Sequence, residues 1–269
     1  MHLPSKTPRR TAVLIASTLG ITLALSACGA DEDAGESPEA RTTLTVATSN
    51  DAPFSYTDAG GGDLQGIDGD MINAIAEEEG WEIEVFTTDF NTLISALKAD
   101  KADVIVDAMY MTDERKKEVS FTDSWYTEGE GMLVPAGSTV KTRDDVKGLV
   151  LGAQTGTAFA DFAGTLGGSE VKLFDSQAAI IAATANGQVD AAFTDSAVLG
   201  WTLVENPNDD VEIVDPYEPF FPGTIGAAVR PEDTELLDQL NAGLADLKAT
   251  PKYLEILEKY GLGEANATE

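Results

Sequence analysis

From residue 43 onward, apolar positions follow two alternating periods. "TLTVA" and "EIEVF" switch apolar and polar residues as strands do. Between them, "GDMINAIAEEEG" puts Met71, Ile72, Ile75 and Ala76 on one helical face, with Gly80 to end the helix. "FNTLISALKAD" carries a second helical stripe through Leu93, Ile94 and Leu97, and "DVIVDA" reads as a buried strand. A second block repeats the plan: strand "LVLGA", helix "TAFADFAG", strand "VKLF", helix "SQAAIIAATANG", strand "DAAFTD", helix "SAVLGWTLVEN" and strand "VEIV". Strands alternating with helices predict an α/β fold whose parallel sheets are covered on both faces.

The two blocks echo each other. "LISALKADKADVIVDAM" and "AIIAATANGQVDAAFTDSA" both run helix, turn, Asp, three apolar residues and a further Asp shortly after. Each copy brings a carboxylate, Asp107 or Asp195, to the carboxyl end of a strand, the edge where open α/β sheets bind ligands. Extended stretches "EGEGMLVPAGSTV" and "DPYEPFFPGTIGAAVR" predict two crossings between lobes, hence a hinge with a cleft. The first lobe is expected over residues 43–134 plus 221–269 and the second over 135–220. Two closing helices, "PEDTELLDQLNAGLADLKA" and "PKYLEILEKYG", each open on a proline, which suits a first helical turn.

The N-terminus is a different kind of segment. "MHLPSKTPRR" is basic, and "TAVLIASTLGITLALSA" is apolar with small residues at its end, the signature of a secretory signal over residues 1–27. It is short for a membrane span. Its end, "LALSAC", resembles the lipobox of bacterial lipoproteins, which implies a lipid on Cys28 and an extracytoplasmic, membrane-anchored protein. The acid- and Gly-rich residues 28–42 then read as a flexible tether.

Charge and composition narrow the function. The chain holds 47 acidic and 17 basic residues, and losing residues 1–27 leaves 14 basic ones and a net charge of −33. Such a surface repels phosphates, which argues against nucleic acid as partner. The single histidine, His2, leaves with the signal and the single cysteine is the lipid site, so Ser-His-Asp and Cys-His catalysis and His/Cys zinc sites are excluded. No disulfide is possible, and no cofactor is called for. Stability must come from a core, which a chain of 43% apolar composition can supply.

Against that acidity, the run Arg115, Lys116, Lys117 in "VIVDAMYMTDERKKEVSFTD" stands out. It belongs to a set of segments in order: "APFSY", "LQGIDGDM", "DFNTLISALKADKADVIVDAMYMTDERKKEVSFTDSWY", "LGAQTGTAF", "NGQVDAAFTD" and "LLDQLNAGLADL". Through them, residues 43–262 resemble the family 3 extracellular solute-binding proteins, which serve polar amino-acid ABC importers. The resemblance implies a type II periplasmic-binding-protein-like fold whose two lobes close over a free amino acid or similar zwitterion. It also implies a monomer that delivers its ligand to a membrane permease and does no catalysis.

Residue by residue, the resemblance assigns Arg115 of "TDER" to the ligand's α-carboxylate, a role suited to a planar fork of donors that stays charged. The alternative is a surface cap beside Lys116 and Lys117. Asp195 takes the place of the ammonium partner; as a plain helix N-cap it would have an alternative explanation. The Thr157 hydroxyl and the amides of Thr157 and Ala158 would add donors to the carboxylate. Phe90 would pack on the ligand, or serve as ordinary core.

Departures from the family pattern bear on the ligand. The position two before "PF", commonly aromatic, is Asp51, and the acidic position three before that is Thr48. A strand end that is often Gly or Ala is Asp107, and a frequent Ser or Thr is Tyr110. With Asp51, Asp107, Asp195 and Asp70 lining one cleft, the ligand would carry extra positive charge, as a basic amino acid does. If Asp51 points to solvent, that reading falls. The remaining alternative is a dehydratase-like enzyme on the same fold, with acid and base drawn from Asp, Glu, Lys or Tyr.

Overall fold

The computed structural model describes residues 42–59, 61–220 and 223–269. The expected signal, Cys28 and all but the last residue of the tether lie outside the described residues.

In chain order, β1 (Thr43–Thr48) leads to α1 (Ile67–Glu79), β2 (Glu82–Thr87), α2 (Leu93–Lys98), β3 (Val104–Ile105) and β4 (Ser120–Phe121). The face foreseen on α1 is the buried one, with Ile67, Met71, Ile72 and Ile75 inside. Gly80 closes that helix in the left-handed region, φ 73°, its N–H returning to the Ala76 carbonyl. Next come β5 (Tyr126–Glu128), β6 (Glu130–Pro135), β7 (Val150–Gln154), α3 (Ala158–Thr165), β8 (Glu170–Phe174), α4 (Gln177–Ala185), β9 (Ala191–Asp195), α5 (Ser196–Glu205) and β10 (Val211–Ile213). The chain returns through β11 (Gly223–Ile225) and β12 (Ala228–Val229) and ends in α6 (Thr234–Lys248) and α7 (Pro251–Lys259).

Two five-stranded sheets result, β2-β1-β3-β12-β4 and β10-β6-β9-β7-β8. Each is built around a parallel trio, β2-β1-β3 or β8-β7-β9. The sheets are mixed, however, and not purely parallel. β12 runs antiparallel to β3 and β4, and β6 antiparallel to β9 and β10. Strands reached through extended crossings need no helical crossover, so antiparallel pairing is open to them.

One crossing also falls earlier than expected. "EGMLVP" is a full strand of the second sheet, so the chain changes sheet between β5 and β6, ahead of residue 134. β5 and β11 pair antiparallel, and the two crossings run side by side as a two-stranded ribbon. Of the two helix-opening prolines, Pro251 sits in the first turn of α7, while Pro231 lies three residues before α6.

Both faces of the first sheet are covered. Leu44, Val46 and Val104 join a core with Met71, Ile75, Leu240 and Leu244 of α1 and α6. On the other face, Ala47 and Ile105 pack with Leu93 and Leu97 of α2. Helices on both faces leave the strand ends as the accessible edge, and the carboxyl ends of β1, β3, β7 and β9 open toward one shared space.

Candidate functional site

That space is a narrow cavity between the lobes. The first lobe lines it with Asp51, Phe54, Phe90, Asp107, Tyr110 and Arg115. The second contributes Gln154, Thr157, Ala158, Phe159, Gln177 and Asp195.

Arg115 begins a single 3-10 turn, Arg115–Lys117, and its guanidinium turns into the cavity while Lys116 and Lys117 stay exposed. Nη1 donates to the Tyr110 carbonyl at 2.9 Å, and Nη2 donates to the Gly156 carbonyl of the opposite lobe at 3.0 Å. The guanidinium stands 5.3 Å from the centre of the Phe90 ring, a cation–π arrangement. Burial pulls its pKa down to about 10, opposed by Asp195, so it stays charged at neutral pH. Gly156 makes this approach possible: a Cβ there would meet Asn91 Cβ at 2.9 Å, and φ is +78°.

Asp195 ends β9 and is the N-cap residue of α5, but its side chain caps nothing. Its Oδ1 is buried without a hydrogen-bond partner. The capping is done by Glu128, whose Oε1 accepts from Ser196 Oγ and from the Ala197 amide, each at 2.7 Å. Tyr110 Oη donates to Glu128 Oε2 at 3.0 Å, a reach that the shorter Ser or Thr frequent in the family at this position would lack. Its ring fills space that Gly223 leaves, since a Cβ on Gly223 would lie 1.5 Å from Tyr110 Cε1. Burial, then the neighbouring charge of Glu128, pushes the Asp195 carboxyl well above the usual carboxylate range. Burial also raises Glu128, to about 7.

Asp51 and Asp107 both face the cavity. Asp107 is held at the end of β3 by the Ser49 amide at 2.9 Å and by the Thr48 and Ser49 hydroxyls. Thr48 therefore serves the loop, its single hydroxyl proton shared between Asp107 and the Ser55 carbonyl, which stands at 2.8 Å. Asp51 accepts from Ser49 Oγ and, across the lobes, from Gln154 Nε2, both at 3.1 Å. Gln154 is itself oriented: Thr194 Oγ1 donates to Gln177 Oε1, and Gln177 Nε2 donates to Gln154 Oε1 at 2.8 Å. Burial raises both carboxyls above their ordinary values, with the Asp51 charge adding to the effect on Asp107.

Two assignments need correction. Asp70 does not reach the cavity; it pairs with Lys259 at 2.7 Å and accepts from Tyr260 Oη at 3.1 Å. Helical geometry explains this, because Asp68 and not Asp70 shares a face with Met71, Ile72 and Ile75. Asp68 is the buried one, bonded by Tyr126 Oη at 2.6 Å, and burial raises it to about 6. The Thr157 hydroxyl is also committed elsewhere, donating to the Gln154 carbonyl at 2.8 Å and capping α3 by accepting from the Ala160 amide. The Thr157 amide turns to the same carbonyl, at 3.3 Å. Ala158, first residue of α3, contributes an N–H of the kind that helix starts leave without intrahelical partners.

The residues missed are Glu128, Gln154, Gln177, Phe54 and Phe159. Gln154 and Phe159 sat inside "LGAQTGTAF" and Phe54 inside "APFSY", segments that carried the family resemblance, whereas Glu128 and Gln177 lay outside every such segment. Among the described residues, no group of three or more His, Cys, Asp or Glu is placed to hold a metal ion.

Two α/β lobes joined by paired crossings over a charged cavity define a periplasmic-type solute-binding fold. Residues 44–263 match the model of the bacterial extracellular solute-binding proteins, family 3, and the chain belongs to that family. It is 30% identical over 249 residues to the arginine-binding extracellular protein ArtP of Bacillus subtilis (strain 168), spanning 91% of this chain and 95% of that protein. A probable histidine-binding protein of Neisseria gonorrhoeae is 30% identical over 245 residues, 88% of this chain and 91% of its own. Among solved structures, an ancestral arginine-binding protein bound to arginine matches with a TM-score of 0.75 at 36% identity, over 82% of this chain and 99% of its own.

Proposed function

We propose that this protein captures an α-amino acid with a cationic side chain and delivers it to the permease of an ABC importer, acting as a monomer outside the membrane with a lipid on Cys28. The observation that carries this reading is the charge balance of the cavity, where Asp51, Asp107 and Asp195 face a single guanidinium, Arg115. In this arrangement the ligand's α-carboxylate meets Arg115 and the Ala158 amide, and its α-ammonium meets Asp195 Oδ1. The side-chain cation meets Asp51, with Asp107 behind it, and Phe90 and Phe54 pack on the aliphatic stem. A buried charge needs such a counter-charge, since an unpaired one is costly. The names of ArtP and of the arginine-bound ancestral protein support the same ligand class. Binding and release, without turnover, is the activity proposed.

Thermal unfolding of residues 29–269 with L-arginine, L-lysine, L-histidine, L-glutamine and L-glutamate tests it. A ligand at 100 times its Kd adds about 2.7 kcal/mol, or about 5–10 °C for a chain of this size. The expected shift is confined to the basic amino acids. An equal shift with glutamate, or conversion of a bound ligand into product, would overturn the proposal.

A further inference from the structure

Glu128 is the last residue of β5, in the two-stranded ribbon that leads from the first sheet toward the second. Its carboxyl is buried and gathers donors from both lobes: Ser196 Oγ and the Ala197 amide on Oε1, and Tyr110 Oη on Oε2. Asp195 is hydrogen-bonded to the same group. The other Asp195 oxygen, Oδ1, is buried in the cavity wall with no partner.

The charged and titratable groups facing this pair come from every neighbouring element. Tyr110 and Tyr126 approach from the first lobe, Glu130 from the start of β6, Asp51 from across the cavity, and Arg115 from its turn. Among the described residues facing the pair, Arg115 alone is cationic. Two carboxyls in contact in such surroundings do not both ionise, and one proton stays between them. Three donors aimed at Glu128 favour its anionic form, so the proton rests on Asp195 and points at Glu128.

We propose that Glu128 is a positioning residue that sets the charge of the ammonium site: it holds a proton on Asp195 until a ligand ammonium reaches Oδ1, and capture then expels that proton to solvent. This rests on the proposed role of Asp195. The step balances. Before capture the pair carries one proton and one negative charge. Afterwards both carboxylates are ionised, the ligand cation stands beside them, and one proton has passed to water. The ammonium attracts both carboxylates and so opposes the repulsion that had retained the proton. Affinity for an amine therefore rises with pH across the range in which the pair titrates, by up to about tenfold per unit for one proton released.

The test is calorimetry with L-arginine in two buffers of different ionisation enthalpy, repeated from pH 6 to pH 8.5, on the unsubstituted protein and on Glu128→Gln. The glutamine keeps an acceptor for Ser196 and Ala197 but cannot share a proton as a carboxylate does. The expected result is about one proton fewer released by Glu128→Gln, with a correspondingly flatter dependence of Kd on pH. The difference between the two proteins decides, because Asp51 and Asp107 also exchange protons. Equal release by both proteins, with arginine bound, would overturn the role of Glu128. No binding of arginine would instead overturn the proposed function. In that case, or if Glu128→Gln does not fold, the infrared band of a protonated carboxyl, assigned by its loss in Asp195→Asn, decides alone. Its absence at neutral pH would sink the shared proton, and its presence would uphold it.

Discussion

Glu128 caps α5 in place of Asp195: its Oε1 accepts the Ala197 amide at 2.7 Å, while the residue at the N-cap position makes no side-chain cap bond. This division of labour leaves Asp195 for the cavity. Glu128→Ala removes the acceptor for the Ala197 amide and the Ser196 and Tyr110 hydroxyls. A buried donor left unmade costs about 1–3 kcal/mol, so Tm should fall by several degrees. Glu128→Gln should fall less. An unchanged Tm for the alanine variant would show that the cap is dispensable.

Among the described residues, Arg115 is the only cation in the cavity wall. Removing one partner of a desolvated charge pair costs about 2–5 kcal/mol, so Arg115→Ala should weaken L-arginine binding roughly 30-fold to several-thousand-fold. Arg115→Lys should not restore it, because an ammonium lacks the planar fork. Titration calorimetry decides, and an alanine variant within threefold of the unsubstituted protein would remove Arg115 from the ligand.

Asp51 is where ligand choice should be altered with least damage, because its residue is half-buried and its carboxylate is hydrogen-bonded by Ser49 and Gln154. Asp51→Asn should lower affinity for arginine by about tenfold or more, a change of about 1.4 kcal/mol, and leave glutamine nearly untouched. Parallel losses for both ligands would mean that Asp51 shapes the loop and does not read the side chain.

Stability should respond to pH in an unusual direction. Asp68 and Glu128 are raised to about 6 and about 7, and Asp51, Asp107 and Asp195 are raised too, with burial the leading cause in each. A carboxyl whose folded pKa lies above its unfolded one binds its proton more tightly when folded. Its stabilisation is complete below the unfolded value, near 4, and disappears as pH rises through the folded value. Tm should therefore fall by several degrees between about pH 5 and pH 8. Asp145, lowered by the Lys141 and Thr142 amides and the Thr142 hydroxyl, acts the opposite way, but from a fully exposed position. Scanning calorimetry at constant ionic strength would reject the expectation if Tm rose over that interval.

What the sequence made legible follows physical range. The buried face of α1 was readable because Met71, Ile72, Ile75 and Ala76 repeat at helical spacing. The same spacing includes Asp68, the signal that would have separated it from Asp70. β6 was hidden because "EGEG" looks like a linker. Its Glu130 is accommodated by Tyr217 Oη at 2.9 Å and the Phe220 amide at 2.6 Å, nearly ninety positions downstream. Glu128 was illegible for a like reason, since its donors come from residues 110, 196 and 197. Local pattern reports which face is inside. It does not report which distant donors make an acid tolerable there.

The bond from Arg115 Nη2 to the Gly156 carbonyl has an energetic meaning. The guanidinium read here as the carboxylate's receptor already grips the far wall, so loading is an exchange: the wall's oxygen competes with those of the incoming anion. Discharge gains by the same arrangement, because the arginine has a native acceptor at hand as its cargo departs. Such a built-in substitute lowers the net gain on loading by the strength of the bond exchanged, and the cost of release by the same amount.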